Sequence, residues 1–367
     1  MAIFTSKKKS YTLHTMNIVI DEKIPYLRHA LEQMGHCVKE LPGSKIAKSD
    51  LTDAEALFVR TRTKCDAALL DGTAVRFIGT ATIGYDHIDA DYCKSHDITW
   101  TNAPGCNADA VLQYVQSTIY AWIKERRVDC SDIVLGIVGV GEIGSRIAKW
   151  AKECNIRYLL NDPPREADGE KGFCSLDDIA KECNIITFHT TLNKGGKFPS
   201  LHLADETFMQ KLQKCRLLIN ASRGAVVDNN ALLENLSIGN IEDIALDVWE
   251  GEPNLSPELL ERAYIATPHI AGYSAEGKLN ASRMMLEAFA KFSKHPGAIP
   301  PISLPAPSQP VVDAYSKEEA LLKIYSPLND TAKLKAAPHL FEELRNNYEL
   351  RREPSAYQII IKNNTQP

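Results

Sequence analysis

The stretch IVLGIVGVGEIG, residues 133–144, decides the fold of this chain. Its first residues are almost all apolar, which is typical of a strand buried on both faces of a parallel sheet. Gly139, Gly141 and Gly144 then form the pattern GxGxxG directly before a helical pattern. In that context the glycines allow a tight turn and let the backbone approach a pyrophosphate at the helix N-terminus. The stretch therefore predicts a dinucleotide-binding βαβ unit.

An acidic residue follows at the spacing that such a unit requires. Asp162 ends the next strand-like run, RYLL, and lies eighteen residues after Gly144. A carboxylate at this position accepts a hydrogen bond from a ribose 2′-hydroxyl and repels a 2′-phosphate. The sequence therefore predicts NAD as the cofactor, while Arg165 nearby leaves NADP as an alternative.

Strand-like runs continue on both sides of the glycine motif. Because they are separated by segments long enough for crossover helices, they predict parallel sheets and an α/β fold. A helical pattern with Asn107 as its N-cap connects the two groups of runs. The runs before it include IVI, ALFV and VRFIGTA, and those after it include RYLL, IITF, RLLIN, IEDIALDV and YIAT.

The last part of the chain begins with a proline-rich stretch. Residues 296–310 contain six prolines, which predicts an extended linker. Residues 311–367 then carry two helical patterns and the strand-like YQIIIK. A segment of 57 residues is marginal for folding alone, so we expect it to pack against another subunit.

Composition excludes several classes of protein. A formal net charge of −5 over 367 residues gives no general attraction to nucleic acid or to an anionic membrane. Nine cysteines without a CxxC pair predict reduced thiols in the cytoplasm, and no metal site is expected. The first fifteen residues lack the apolar core of a signal peptide and are interpreted as an N-terminal extension.

Polar residues follow the ends of several runs in the second half. Arg223 follows LLINAS, Asp247 and Glu252 lie in DVWEGEP, and His269 follows YIAT. Because the carboxyl ends of parallel strands meet at one edge of a sheet, these side chains should converge. Oxidation of a 2-hydroxy acid needs a base, a cation for the carboxylate and a carboxylate that orients the base. The sequence supplies all three.

Three motifs in this half resemble those of the D-isomer-specific 2-hydroxyacid dehydrogenases. They are SRGAVVD at 222–228, ALDVWEGEP at 245–253 and TPHIAGYS at 267–274. The resemblance implies that Arg223, Glu252 and His269 form the catalytic set, with His269 as the base.

The same resemblance implies further contacts with the cofactor and the substrate. Asp247 would accept from the nicotinamide carboxamide, and Glu142, Ile143, Thr191 and Gly272 would also line the cofactor. The substrate, expected to be a small phosphorylated 2-hydroxy acid, would contact Thr61, Thr82 and Tyr273. The run VRTRTK offers three cations for a phosphate, and they would share one face if the preceding strand continued through them: Arg60, Arg62 and Lys64.

The resemblance also implies an architecture. We expect a Rossmann-type doubly wound NAD domain, residues 116–269, inserted into a flavodoxin-like substrate domain, residues 16–115 and 270–295. A small C-terminal α+β dimerisation domain, residues 311–367, would make the protein a homodimer. Alternative functions are a dehydrogenase of 3-phosphoglycerate or of an unphosphorylated hydroxy acid, and an NAD-sensing protein without turnover. The complete catalytic set argues against the last.

Overall fold

The computed structural model describes residues 14–295 and 297–362. The chain forms two compact units, each assembled from two stretches. The first unit runs up to Cys106 and resumes at Lys278–Pro305, and the second comprises Asn107–Gly277 and the chain from Ala306 onward.

These units divide the chain at positions other than the expected domain boundaries. We expected the NAD domain to begin at residue 116, whereas the whole helix Ala108–Arg126 lies in the second unit. The C-terminal segment, residues 311–367, groups with the second unit. The proposed N-terminal extension, residues 1–15, lies outside the described residues except for its last two.

The first unit is built on a parallel sheet. Its elements are β1 (Asn17–Asp21), α1 (Leu27–Gln33), β2 (Cys37–Leu41), β3 (Ala56–Val59), α2 (Ala67–Leu70), β4 (Phe77–Thr80), α3 (Ala90–Ser95) and β5 (Thr99–Thr101). The five strands are parallel and lie in the order β2-β1-β3-β4-β5. This is the flavodoxin-like order, so the predicted fold of this unit is confirmed.

Apolar side chains cover both faces of this sheet. Every residue of β3 and β4 is buried, as expected for the central strands of a parallel sheet. On one face Phe58 and Phe77 pack against Phe289, whose ring centroid lies 5.6 and 5.5 Å from theirs. Phe289 lies in the long helix Ala275–Phe292, so a distant stretch of sequence completes this core.

The second unit has the larger sheet. Its elements are α4 (Ala108–Arg126), β6 (Val134–Val138), α5 (Glu142–Glu153), β7 (Arg157–Asn161), α6 (Pro163–Ala167), α7 (Leu176–Glu182), β8 (Ile185–Phe188), α8 (Glu206–Met209), β9 (Leu217–Asn220), α9 (Asn229–Ser237), β10 (Asp243–Leu246), α10 (Pro257–Arg262) and β11 (Ile265–Ala266). Helix α11 (Ala275–Phe292) follows, and from Lys278 onward it belongs to the first unit. All six strands are parallel, in the order β11-β10-β9-β8-β6-β7. The chain reverses direction across the sheet between β7 and β8, which lie on opposite sides of β6. Such a switch point is where open α/β sheets bind ligands, and the predicted Rossmann-type fold is confirmed.

The C-terminal segment packs within its own chain. Its elements are β12 (Val311–Ala314), α12 (Lys317–Ile324), α13 (Pro327–Ala336), α14 (Phe341–Asn346) and β13 (Gln358–Ile361), and β12 pairs in parallel with β13. Tyr325, Leu334 and Phe341 are buried in the two apolar cores of the second unit. The segment therefore buries apolar side chains without a second subunit, which weakens the size argument for a dimer.

Two local expectations differ from the structure. Asn107 is the N-cap residue of α4, but its side chain makes no capping hydrogen bond. Strand β3 ends at Val59 and the chain then turns, so strand alternation does not align the cations of VRTRTK on one face.

The described residues also bear on membranes, metals and disulfides. None of the helices in residues 14–295 and 297–362 is long and apolar enough to cross a membrane. The same residues contain no cluster of three or more histidine, cysteine or acidic side chains that could hold a metal ion. All nine cysteines are free thiols.

Candidate active site

The structure brings His269 and Glu252 together although seventeen residues separate them. His269 Nδ1 lies 2.6 Å from Glu252 Oε1, and each side chain is about one quarter exposed. With Glu252 ionised, Nδ1 carries the proton and donates, so Nε2 is left as the basic nitrogen. The pair therefore has the arrangement of a general base and the carboxylate that orients it.

The backbone of His269 is held in an unusual conformation. Its φ is 58°, in the left-handed region that side chains other than glycine rarely adopt. Its N–H donates to the Asp247 carbonyl oxygen at 2.8 Å. Such conformations cost about 1–3 kcal/mol and persist at functional sites when surrounding contacts impose them.

The Asp247 side chain supplies several of these contacts. Its carboxylate accepts from the backbone N–H groups of Ile270 and Ala271, at 2.7 and 2.9 Å, and from the Thr267 hydroxyl at 2.7 Å. Burial raises the pKa of Asp247, and the charge of His269 and these hydrogen bonds oppose that shift. In this structure Asp247 thus organises the loop that carries His269, while its contact with a nicotinamide carboxamide stays a prediction.

Arg223 lies just beyond the end of β9, as predicted, and its Nη1 donates to the Ser222 carbonyl oxygen at 2.8 Å. The next residue explains why this turn needs a glycine. A Cβ on Gly224 would lie 2.1 Å from the backbone carbonyl of Trp249, so only glycine lets the two loops touch. The loop of Arg223 therefore packs directly against the loop that leads to Glu252.

The glycine turn after β6 has the geometry of a cofactor site. Gly139 has a φ of +87°, and a Cβ on Gly144 would lie 2.1 Å from the Gly139 carbonyl oxygen. A Cβ on Gly141 would meet nothing within 4 Å, so open space faces the N-terminus of α5. Glu142 and Ile143 are the first residues of α5 and present backbone N–H groups there. These residues suit a dinucleotide pyrophosphate.

A cavity of about 340 Å³ adjoins this turn and is lined by Gly139, Gly141, Asp162 and Thr191, among others. The Asp162 carboxylate accepts from Val140 N–H at 2.7 Å, which places it beside the turn. The structure therefore groups the residues predicted for the pyrophosphate and the ribose.

Arg165 is engaged elsewhere. Its guanidinium pairs with the Glu170 carboxylate, which raises the pKa of Arg165, and it stacks over the Phe173 ring at 5.5 Å. Its presence therefore gives little support to the alternative cofactor NADP.

Gly272 and Tyr273 follow His269 in the same loop. A Cβ on Gly272 would lie 2.0 Å from Asn107 Nδ2, so this glycine is required by close packing against Asn107. The Tyr273 ring contacts the Tyr348 ring edge to face, with centroids 6.2 Å apart. The contact of Gly272 with the cofactor and the contact of Tyr273 with the substrate stay predictions.

The predicted substrate contacts Thr61 and Thr82 belong to the first unit. Thr61 is exposed in the turn after β3, and the Thr82 hydroxyl donates to the Gly84 carbonyl oxygen at 2.9 Å. Lys64 forms an ion pair of 2.8 Å with Asp66. Arg60, by contrast, has a buried Nε without a hydrogen-bond partner in the described part of the chain.

Two arginines in the C-terminal segment lie near the site although the sequence did not predict them. Arg351 is 8% exposed and donates to the backbone carbonyl oxygens of Ile270, at 2.9 Å, and Tyr273, at 3.0 Å. Arg345 lies beside Glu252. Single arginines in a polar segment resemble surface charges, so no local signal could have distinguished them.

Comparison with known proteins identifies the family of this chain. Residues 108–271 match the family model "D-isomer specific 2-hydroxyacid dehydrogenase, NAD binding domain". The erythronate-4-phosphate dehydrogenase of Bacteroides thetaiotaomicron is 50% identical over 346 residues, which is 94% of this chain and 99% of that protein. The enzyme of the same name from Proteus mirabilis is 41% identical over 363 residues, covering 95% of this chain and 96% of that protein.

Solved structures share the fold. An NAD+-bound 3-phosphoglycerate dehydrogenase from Entamoeba histolytica superposes with a TM-score of 0.64 at 22% identity, covering 76% of this chain and 96% of that one. A D-lactate dehydrogenase from Aquifex aeolicus, in complex with NAD and lactic acid, gives a TM-score of 0.59 at 24% identity with the same coverage. At these identities the likeness concerns the fold alone.

Proposed function

Because this chain belongs to the erythronate-4-phosphate dehydrogenase family of D-isomer specific 2-hydroxyacid dehydrogenases, we propose that it oxidises 4-phospho-D-erythronate with NAD. The products are (R)-3-hydroxy-2-oxo-4-phosphooxybutanoate, NADH and a proton, in a step of pyridoxal 5′-phosphate biosynthesis. The observation that carries this proposal is the hydrogen bond of 2.6 Å between His269 and Glu252, in the same unit as the glycine turn.

In the proposed mechanism His269 accepts the proton of the substrate C2 hydroxyl at Nε2. Glu252 stabilises the imidazolium that forms, because its carboxylate already accepts from Nδ1. When bound, NAD would supply the hydride acceptor for the hydrogen at C2. Arg223 uses its planar guanidinium to bind the substrate carboxylate and to polarise the C2 oxygen.

The remaining predicted residues would bind the two ligands. Glu142 and Ile143 would donate backbone hydrogen bonds to the pyrophosphate, and Asp162 would accept from the adenosine ribose. Further contacts with the cofactor would come from Thr191, Asp247 and Gly272, and contacts with the substrate from Thr61, Thr82 and Tyr273.

An assay of NADH formation tests the proposed function. The full-length protein is mixed with NAD and with 4-phospho-D-erythronate or 3-phosphoglycerate, and kcat/KM is compared. We expect 4-phospho-D-erythronate to be preferred. A preference for 3-phosphoglycerate would assign the chain to the alternative dehydrogenase, and NAD binding without turnover of either acid would assign it to a sensing role.

The cofactor preference depends on Asp162. Replacing Asp162 with alanine removes a charge-assisted hydrogen bond to ribose, worth about 1.5–3 kcal/mol, so NAD affinity should fall about tenfold or more. Isothermal titration calorimetry with NAD and NADP measures this change.

A matched control separates this effect from loss of a helix cap, since Asp162 also caps α6. Ser175 caps α7 in the same unit, with its hydroxyl accepting from Asp178 N–H at 3.1 Å. Ser175→Ala should leave NAD affinity unchanged. Equal affinity of the unmodified protein for NAD and NADP would contradict the role of Asp162.

We also propose that the protein is a cytoplasmic homodimer that associates through its C-terminal segment. Its nine free cysteines support a reducing compartment. The paired strands β12 and β13 leave apolar side chains at the surface, including Val311, Ile360 and Ile361, which are 47, 41 and 43% exposed. Covering such a patch with a second copy would remove it from water.

Light scattering of the full-length protein tests this arrangement. Ile360→Lys should convert a dimer to a monomer, because it places a charge within the apolar patch. Ile238→Lys is the matched control, since Ile238 is 71% exposed and lies outside the C-terminal segment. A monomeric unmodified protein, or a dimer unaffected by Ile360→Lys, would exclude this interface.

A further inference from the structure

The C-terminal segment reaches the catalytic pair through α14. Arg345 Nη1 lies 4.0 Å from Glu252 Oε1, the same oxygen that accepts from His269 Nδ1. The second oxygen, Oε2, accepts from Trp249 N–H at 3.3 Å. Glu252 Oε1 thus lies between the His269 imidazole and the Arg345 guanidinium, while the hydrogen bond at Oε2 fixes the orientation of the carboxylate.

Arg345 is itself held in place. Its side chain is 22% exposed and lies 3.7 Å from Glu342 Oε1, one turn earlier on α14. It also shares a hydrogen bond with the Tyr273 side chain. Arg345 therefore lies beside both Glu252, the hydrogen-bond partner of His269, and Tyr273, a predicted substrate contact.

The charges around the pair agree with this geometry. Burial pushes the pKa of Glu252 upward, but the hydrogen bond and charge of His269, and then the charge of Arg345, outweigh it and leave that pKa below its usual value. Among the described residues, other ionisable groups near the pair are Asp247 and Arg351 beneath the loop, Tyr273 on it and Glu342 on α14. Arg345 is the cation that faces the Glu252 carboxylate from this segment.

We infer that Arg345 is a positioning residue for the reaction, acting through Glu252 and Tyr273 to fix the catalytic pair and to place a positive charge beside the His269 imidazole. This inference rests on the proposed function and extends it to a segment beyond residues 108–271, which match the NAD-binding family model. The C-terminal segment thereby contributes to the active site of its own chain.

The charge of Arg345 predicts the direction in which its removal shifts the pH profile of the reaction. A neighbouring cation disfavours imidazolium, so removing Arg345 should favour the protonated form of the base. A base that must be neutral to accept a proton then needs a higher pH. We expect Arg345→Met to move the acid limb of kcat/KM for oxidation upward by about half a pH unit to one unit. Glu252→Gln should move it downward, because it removes the carboxylate that stabilises imidazolium.

The size of the rate effect distinguishes positioning from substrate binding. Arg345→Met should lower kcat at its plateau by about tenfold, with KM changed less than about twofold, since a shifted pair misaligns the base. Arg345→Lys keeps the charge and should leave the acid limb in place while lowering kcat. A rise in KM alone, with kcat and the acid limb unchanged, would identify Arg345 as a substrate contact and overturn the inference.

Arg352→Gln is the matched control. Arg352 lies in the same segment and pairs with Glu276 at 2.6 Å. This variant should keep the pH profile of the unmodified protein. If it shifts the acid limb as much as Arg345→Met does, the effect belongs to the segment as a whole and the inference is wrong.

A titration without substrate separates this inference from the proposed function. The imidazole of His269 is followed by NMR in the unmodified protein, Arg345→Met and Arg345→Lys, with its signal assigned through His269→Gln. We expect a higher pKa in Arg345→Met and no change in Arg345→Lys. Equal values in all three would refute the inference even if 4-phospho-D-erythronate is oxidised. If Arg345→Met does not fold, a shift in Arg345→Lys equally contradicts it.

Discussion

Replacing His269 with alanine should lower kcat by about 10²–10⁴-fold, the range that a positioned general base contributes. We expect this loss because Glu252 orients the imidazole through a hydrogen bond of 2.6 Å at Nδ1, which leaves Nε2 as the nitrogen able to accept a proton. NAD affinity should change less than about twofold, since the glycine turn and Asp162 lie on other loops of the unit. Steady-state kinetics and calorimetry with NAD measure the two effects separately.

The chain offers a matched control for this variant. His202 forms a second histidine–glutamate pair in the same unit, with Nε2 2.7 Å from Glu250 Oε1, and its φ of 48° is also positive. His202→Ala should therefore keep kcat close to that of the unmodified protein. If His269→Ala retains a rate similar to that of His202→Ala, a different base operates.

The second large effect concerns the substrate phosphate. Charge-assisted hydrogen bonds are worth about 1.5–3 kcal/mol each, so two of them amount to about 10²-fold or more in kcat/KM. We therefore expect 4-phospho-D-erythronate to exceed erythronate by at least about that factor. Comparable kcat/KM values for the two acids would remove the phosphate site from the proposal.

The structure distinguishes the cations that could bind this phosphate. Arg60 has a buried Nε without a hydrogen-bond partner among residues 14–295 and 297–362, whereas Lys64 is 79% exposed and paired with Asp66. Arg60→Gln should reduce the preference for the phosphorylated acid by about tenfold, and Lys64→Gln should leave it unchanged. An unchanged preference in Arg60→Gln would place the phosphate contact elsewhere.

The sheets and the cofactor turn could be predicted because their signals are local. A run such as ALFV is buried on both faces, and within GxGxxG the positive φ of Gly139 and the close approach of Gly144 to the Gly139 carbonyl oxygen both require glycine. His269 and Glu252 could be predicted to meet because parallel strands bring their carboxyl ends to one edge.

Other features depend on contacts between distant residues. Strand β3 ends at Val59, and the Thr63 hydroxyl then donates to the Gly43 carbonyl oxygen at 2.7 Å, a contact that no alternation pattern contains. The position of Arg345 beside Glu252 depends on how α14 packs against a loop more than ninety residues earlier. Such tertiary contacts leave no periodic pattern in either stretch of sequence.

The anchoring of the His269 loop by Arg351 has a consequence for protein synthesis. Because synthesis proceeds from the N-terminus, residue 351 is added after every residue of the loop that it holds. The nascent chain therefore carries Arg223, Glu252 and His269 before it has the guanidinium that holds the loop carbonyls. A product terminated before codon 351 contains Arg223, Glu252 and His269, the three residues proposed for catalysis, but its His269 loop lacks the hydrogen bonds of this anchor.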